Sequence, residues 1–289
     1  MRAAIVTYEG DRTSDRQSGL VGDTLRGMGH EVSEPVWSDP KVDWGAYDVA
    51  WISSTWDYFN RVDEYRDWVA RAGVATRLHN PRVLVDWNID KRYLRDLGGE
   101  GVAIVPTVWA MPELAGSAQE TVGDLSWEKA VVKPTIDGGA FNLELVEADE
   151  VAAAVGRIDG PTMVQPYLPS VAEEGELSLI YFRGELSHAV HKSPKAGDFR
   201  VQEHWGGVFT AIDDPPREAL EAGSKTLDAM VSCSPIGEMP LYARVDLVRD
   251  LEGTLCTMEL EVIEPSLYLE HAGPEKTENF ARLLAEAAG

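Results

Sequence analysis

Two stretches near the C-terminus concentrate carboxylates in a pattern that suits a metal. Leu241-Tyr242-Ala243-Arg244-Val245-Asp246-Leu247-Val248 alternates with period two, so Leu241, Ala243, Val245 and Leu247 share one face and Arg244 and Asp246 the other. Arg249-Asp250-Leu251-Glu252-Gly253 reads as a hairpin turn. The return strand is expected to carry Cys256, Met258, Leu260 and Val262 on its apolar face and Thr257, Glu259 and Glu261 on the opposite one. Pairing through that turn brings Arg244, Asp246, Glu259 and Glu261 onto one patch. Carboxylates held that close repel one another unless a cation neutralises them. Hard oxygen ligands on rigid strands suit Mg²⁺, which keeps waters and shares ligands with substrate phosphates. A solvent-facing sheet with an Arg–Glu cross-strand pair produces the same pattern, and these residues alone do not separate the two.

Three further segments carry chemistry. In Val131-Val132-Lys133-Pro134, followed by Thr135-Ile136-Asp137-Gly138-Gly139-Ala140, a lysine ends an apolar strand and a glycine pair opens a loop. Glycines let backbone N–H groups approach phosphate oxygens, and lysine adds a point charge. The spacing is not that of a P-loop, and a simple hairpin turn is the alternative. Met163-Val164-Gln165-Pro166-Tyr167-Leu168-Pro169 runs a strand into a proline-stiffened exit whose backbone can read the edge of a flat base. Glu173, Glu174 and Glu176 follow, able to accept bonds from ribose hydroxyls; an interdomain hinge would look the same. Finally, Lys192, Lys195 and Arg200 fall within nine positions beside Gly197, with Trp205-Gly206-Gly207 just beyond. Concentrating scarce cations there favours an anion site over a solvated loop.

These residues need elements to hold them. Ala3 to Thr7 is an apolar run that predicts a buried strand, and Leu20, Val21, Leu25 and Met28 recur at helical spacing up to Gly29. Strands are expected at Glu31 to Trp37 and Tyr47 to Ser53, and a helix from Val62 to Gly73. This alternation argues for a parallel, Rossmann-like sheet over residues 1–85, and the lack of GxGxxG after the first strand argues against dinucleotide binding. Asn88 or Asp90 is expected to cap a helix through Tyr93, Leu94 and Leu97. Short strands follow at Val105 to Ala110, Lys129 to Lys133, Asn142 to Val146 and Thr162 to Gln165, with an acidic helix at Asp149 to Ile158. From Glu176 the chain reads as strand-rich, with one helix from Pro216 to Val231 before the carboxylate-bearing strands.

Bulk properties narrow the function classes. The 289 residues suggest two or three subdomains. Lys plus Arg is 26 and Asp plus Glu is 49, a formal charge of −23, which opposes binding to nucleic acid or anionic membranes. A polyanionic ligand must therefore meet a local basic cluster. Cys233 and Cys256 are not metal-spaced and read as free thiols in a reducing cytoplasm. No signal peptide or membrane-spanning run is expected, so the chain reads as cytoplasmic, and a homodimer is allowed.

In this order, the segments resemble the ATP-grasp superfamily from Asp90 to Pro265, with a looser likeness of the N-terminal domain to the pre-ATP-grasp domain. The resemblance implies an α/β ATP-grasp fold: a Rossmann-like domain (1–85) and two α+β subdomains (86–165 and 166–289) that clasp ATP. It implies that Lys91 and Lys133 hold the ATP phosphates under Gly138 and Gly139. Gln165, Pro166, Tyr167 and Leu168 would form the adenine hinge, with Glu173 on the ribose. Lys192 and Arg200 would belong to the large loop over phosphate and substrate. Arg244 would act with Arg200 on the γ-phosphoryl group, and Asp246, Glu259 and Glu261 would bind Mg²⁺. D-Alanine ligases carry Glu-x-Asn where this chain has Glu259-Leu260-Glu261, with Glu264 close behind, and Gln165 stands where glutamate is frequent.

The overall pattern is similar to the glutathione-synthetase-like branch. Ser54-Thr55-Trp56-Asp57-Tyr58 and Lys192-Ser193-Pro194-Lys195-Ala196-Gly197-Asp198-Phe199-Arg200 resemble the cyclo-ligases that close O-ureido-D-serine into an antibiotic ring. The implied reaction is ATP-dependent activation of a carboxyl-like or ureido group of a small amino-acid-like substrate for C–N bond formation. An intermolecular carboxylate–amine ligase, a kinase that stops at phosphoryl transfer and a non-catalytic nucleotide-binding module are the alternatives. Because open α/β sheets bind ligands at the carboxyl ends of their strands, the segment after the third strand is expected to meet the substrate. There Asp57 would hold an ammonium, Thr55 a hydroxyl or carboxylate, and Trp56 and Tyr58 the walls, unless these residues only pack the interface and cap a helix.

Overall fold

The computed structural model describes residues 1–289. Its first sheet is parallel, ordered β2-β1-β3-β4, with β1 Arg2–Thr7, β2 Glu31–Ser33, β3 Val49–Ser54 and β4 Arg77–His79. Both faces of β1 and β3 are covered, which is why these strands read as continuous apolar runs. Ala3, Ile5, Val49 and Trp51 pack toward Val21 and Leu25 of helix Arg16–Gly27. Ala4, Val6, Ala50 and Ile52 pack toward Tyr65, Trp68 and Val69 of helix Val62–Ala75. β2 is shorter than its sequence run suggests: beyond Ser33 only an isolated bridge, Thr7 to Val36, continues it.

A second, antiparallel sheet is ordered β5-β8-β6-β7, from β5 Val108–Ala110, β6 Lys129–Pro134, β7 Glu144–Glu147 and β8 Thr162–Pro166. Ala130, Val132 and Val164 meet helices Ala115–Asp124 and Val151–Val155, so Val131, Lys133 and Gln165 are left to the opposite face. The helix expected over Asp149 to Ile158 is only its middle, after a short 3₁₀ turn at Ala148–Glu150.

The third sheet is also antiparallel, ordered β11-β10-β9-β12-β13: β9 Glu176–Phe182, β10 Glu185–Ser193, β11 Val208–Ile212, β12 Tyr242–Arg249 and β13 Leu255–Glu261. Leu179, Ala243, Val245, Leu247 and Leu260 form its helix-covered side with Leu227 and Met230 of helix Arg217–Cys233. Leu84 and Leu94, on helices Arg82–Asn88 and Tyr93–Gly99, belong to this same core. The helix carrying Leu94 was expected to open the central subdomain and Leu84 to close the N-terminal one; both are buried against the C-terminal sheet. Asn88 Nδ2 donates to Leu260 O at 2.9 Å and Tyr93 Oη accepts from Leu260 N–H at 3.0 Å, fixing this helical pair to β13. No helix is long and apolar enough to cross a membrane.

Candidate active site

The two carboxylate-bearing strands pair as the hairpin pattern requires: Arg244 lies opposite Glu261 and Asp246 opposite Glu259. Ligand oxygens of Asp246, Glu259 and Glu261 all lie within 4.8 Å of one another. Beyond Asp246 the register slips, so Leu247 faces Thr257 and Met258 is the extra, unpaired residue of a β-bulge. The slip reverses the expected alternation of the outer half of β13. Thr257 turns to the helix side, where its Oγ1 lies 2.8 Å from that of Thr226. Cys256 joins Val248 and Leu168 on the face that carries the carboxylates.

Each of those carboxylates already has a cation. Arg244 donates to Asp246 at 2.9 Å, to Glu261, and to Ser266 O at 3.2 Å. Lys192 pairs with Glu176 and, at 3.2 Å, with Asp246, which also accepts from the Ser178 hydroxyl. Lys91 sits 3.0 Å from Glu259 and donates to Asp137 O at 2.7 Å. Burial would raise the Asp246 carboxyl, but Arg244 and Lys192 outweigh it and hold it well below the usual range. Glu261 goes the other way: burial, with Glu259 and Asp246 adding to it against Arg244, pushes it up to about 7. Lys133 has no ion-pair partner, and burial pulls its ammonium down. Three oxygen donors on adjacent rigid strands would suit Mg²⁺, a hard cation that also takes water and phosphate oxygens as ligands.

The cluster lines a cavity of about 730 Å³ where the three sheets meet. At one end Val131, Leu143, Tyr167, Leu168, Val171 and Met258 form an apolar slot beside the β8 exit. Gln165 and Pro166 line it as well, with Gln165 Nε2 donating to Thr107 Oγ1 at 3.0 Å. Glu173, expected at the ribose, is exposed on helix Pro169–Glu173 and is not part of the lining, because that helix turns it outward; Glu176 is the glutamate that reaches the cavity.

Two loops roof the middle. Gly139 has φ +64° and its carbonyl accepts from His204 Nε2 at 2.8 Å and Trp205 Nε1 at 3.1 Å. Phe141 stacks on His204 with centroids 4.6 Å apart. A Cβ on Gly138 would stand 2.9 Å from the Phe59 ring, so the glycine pair is required by close packing as well as by its backbone. Arg200 reaches the lining while its guanidinium is held by Asp198 at 2.8 Å and lies over the Trp205 ring.

The other end belongs to the N-terminal domain, but not through all the residues expected. Trp56 and Tyr58 line the cavity. Thr55 does not: its hydroxyl lies 2.9 Å from Tyr65 Oη inside the domain. Asp57 does not either. It lies outside the lining, pairs with Arg61 and accepts from Trp37 Nε1 at 2.7 Å, so its charge is already compensated within the domain. The loop after β1 contributes instead, through Tyr8, Asp11, Thr13, Ser14, Arg16 and Gln17. The strand-end rule applied to β3 applies equally to β1, and the polar run Asp11-Arg12-Thr13-Ser14-Asp15 was the signal available.

This architecture, with a parallel N-terminal sheet and a cavity between two antiparallel ones, is the ATP-grasp fold. Residues 3–80 match the family described as D-cycloserine synthetase DcsG, N-terminal domain. The cycloserine biosynthesis protein DcsG of Streptomyces lavendulae is 32% identical over 265 residues, 86% of each chain. The crystal structure of D-cycloserine synthetase DcsG matches with a TM-score of 0.90 at 28% identity over the whole of both chains. The ATP-grasp ligase PsnB, solved with a phosphomimetic variant of its minimal precursor, Mg and ADP, shares the fold at a TM-score of 0.66 and 14% identity, over 99% of this chain and 98% of that one. The chain is thus an ATP-grasp ligase by class. It belongs to the DcsG family within that class.

Proposed function

We propose that this protein uses MgATP to activate the carboxyl group of O-ureido-D-serine and closes the molecule on itself to give D-cycloserine. The observation that carries the reading is the convergence of Asp246, Glu259 and Glu261 with Lys91 and Lys133 on one cavity between the apolar slot and Trp56. The apolar slot takes the adenine ring, with the backbone of Gln165 to Leu168 at its edge. Lys91 and Lys133 hold the α- and β-phosphates beneath the Gly138–Gly139 loop. Asp246, Glu259 and Glu261 would hold Mg²⁺, which would neutralise charge between the β- and γ-phosphates. Lys192 positions Asp246 for that task.

The chemistry needs positioning and charge more than covalent participation by the protein. A carboxylate oxygen of the substrate takes the γ-phosphoryl group and ADP leaves. The nitrogen bonded to the side-chain oxygen then attacks the acyl carbon. A C–N bond forms, the C–O bond to phosphate breaks with its electron pair, and the nitrogen gives up its proton. Water removes the remaining carbamoyl group as carbamic acid. Arg200 and Arg244 face the transferring phosphoryl group and then the tetrahedral oxyanion.

The test is an isotope experiment on the purified protein with ATP and Mg²⁺. With ¹⁸O in the substrate carboxylate, one label should appear in released phosphate for each D-cycloserine formed. Unlabelled phosphate would mean that the carboxylate is not the activated group. A product that appears only when a second amine is added would make the enzyme an intermolecular ligase.

A further inference from the structure

The cavity carries more carboxylates than its chemistry at phosphate needs, and almost all of them are already engaged by a cation or a hydrogen bond. Glu176 and Asp246 are held by Lys192, Glu261 by Arg244, and Glu259 by Lys91. Farther out, Arg16 pairs with Glu203 at 2.7 Å and lies 3.8 Å from Glu270. Asp11 accepts from Thr13 N–H at 3.0 Å, and Asp137 from Asn142 Nδ2 at 2.9 Å. Glu264 is the exception. The residue lines the cavity, and its carboxylate makes no ion pair and receives no hydrogen bond from another residue.

Its position is fixed rather than accidental. The chain leaving β13 passes Glu261 and reaches Glu264 three residues later. There the Glu264 carbonyl accepts from Trp56 Nε1 at 3.2 Å. The buried Gln17 side chain donates to Pro265 O at 3.2 Å and accepts from Leu267 N–H at 2.6 Å. Three bonds from the N-terminal domain therefore clamp the segment that carries this residue along the cavity wall. Glu264 is not one of the three residues whose oxygens cluster within 4.8 Å, so it stands beside the metal carboxylates without joining them.

We propose that Glu264 is the counter-ion for the α-ammonium group of a zwitterionic amino-acid substrate, and so selects α-amino acids at this site. The proposal rests on the ligase reading above. In an α-amino acid the ammonium nitrogen is two bonds from the carboxyl carbon. A substrate whose carboxylate meets the γ-phosphate at the metal carboxylates must therefore place its ammonium immediately beside them. Asp57 lies outside the lining, engaged by Arg61 and Trp37, and Asp11 accepts from Thr13 N–H, which leaves Glu264 as the lining carboxylate with neither an ion pair nor a hydrogen bond. Burial and the nearby Glu261 carboxylate push the Glu264 carboxyl well up against the pull of Lys91, so its charge is costly in the empty cavity and a ligand ammonium beside it would favour the ionised form. An unpaired, half-buried carboxylate costs stability, and a ligand cation relieves that cost.

The test compares wild type with Glu264→Gln, using O-ureido-D-serine and its analogue with hydroxyl in place of the α-amine. In the variant, KM for O-ureido-D-serine should rise by about ten- to a hundredfold, the scale of a hydrogen-bonded charge pair. KM for ATP and the Mg²⁺ requirement should not move, and the variant should melt no lower than wild type. Against the hydroxyl analogue, wild type and variant should perform within about threefold of each other. An unchanged KM for O-ureido-D-serine in an otherwise active system overturns the assignment, as does a raised Mg²⁺ requirement, which would make Glu264 a metal ligand. Wild-type protein that neither binds nor turns over O-ureido-D-serine refutes the ligase reading, and this proposal with it.

Discussion

Lys91 and Lys133 look equivalent in the sequence, yet their surroundings predict opposite responses to removal. Lys91 is 3.0 Å from Glu259, with side-chain exposures of 13% and 26%, and also satisfies the Asp137 carbonyl. Lys91→Ala leaves Glu259 beside Asp246 and Glu261 without its nearest cation. Breaking a fully buried pair costs about 3–5 kcal/mol; the partial exposure of Glu259 reduces this to about 1–3 kcal/mol. At about 2 °C per kcal/mol for a chain of this size, the unliganded protein should melt about 2–6 °C lower. Lys133 has no partner, and its burial already disfavours the charge, so Lys133→Ala should leave the melting temperature unchanged or raise it. Both variants should bind nucleotide about 10- to 150-fold more weakly, the equivalent of losing one charge-assisted hydrogen bond of about 1.5–3 kcal/mol. Thermal denaturation in metal- and nucleotide-free buffer, paired with calorimetric titration of a non-hydrolysable ATP analogue, reads both quantities. Equal destabilisation by the two substitutions, or unaltered affinity in Lys133→Ala, would refute the reasoning.

Three other outcomes follow from particular contacts. Asp57→Asn should lower the melting temperature and leave KM for the amino-acid substrate within about twofold of wild type, because Asp57 serves Arg61 and Trp37; a selective rise in that KM would return Asp57 to the substrate site. Gly207→Ala puts a Cβ 1.9 Å from the Val201 carbonyl oxygen, so the 194–207 loop must shift. Turnover should fall at least about tenfold with little change in melting temperature, and normal turnover would free this loop of a role. His188 is a pH-sensitive structural group, with the larger shift of the two half-buried histidines His79 and His188. Burial lowers its imidazole to about 4, with Nε2–H donating to Leu267 O at 2.7 Å. Its folded value lies below the unfolded value of about 6.5, so the unfolded chain binds the extra proton. Stability should therefore fall as pH drops from about 6.5 toward 4, by up to about 1–3 kcal/mol. Measured against His188→Gln, the wild type should show the steeper loss of melting temperature between pH 7 and pH 5; parallel curves would exclude His188 as its source.

What the sequence made legible follows from where local pattern decides structure. The parallel sheet was readable because β1 and β3 are covered on both sides, and the carboxylate cluster because period-two alternation survives from Arg244 to Asp246 and from Glu259 to Glu261. The bulge at Met258 was not readable: one inserted residue leaves the composition of the strand unchanged while exchanging the sides of Cys256 and Thr257. Glu173 failed because three acidic residues stand near one another and only the onset of β9 decides that Glu176 is the one facing inward. Asp57 failed for a different reason. Its partners are four and twenty residues away, and nothing local says that Arg61 and Trp37 take up its oxygens. Glu264 was visible only as a neighbour of the metal carboxylates. Its freedom from any partner is a property of the whole cavity, which no segment reports by itself.

The most direct measurement of the central claim is turnover of O-ureido-D-serine by wild type and Glu259→Gln at saturating ATP and Mg²⁺, with ADP and D-cycloserine quantified in the same reaction. The wild type should form one ADP for each D-cycloserine. The variant should retain its fold and lose at least about a hundredfold in turnover, the loss expected when one electrostatic stabiliser of the transferring group is removed. ADP formed without cyclised product by the wild type, or near-normal turnover by Glu259→Gln, would contradict the account.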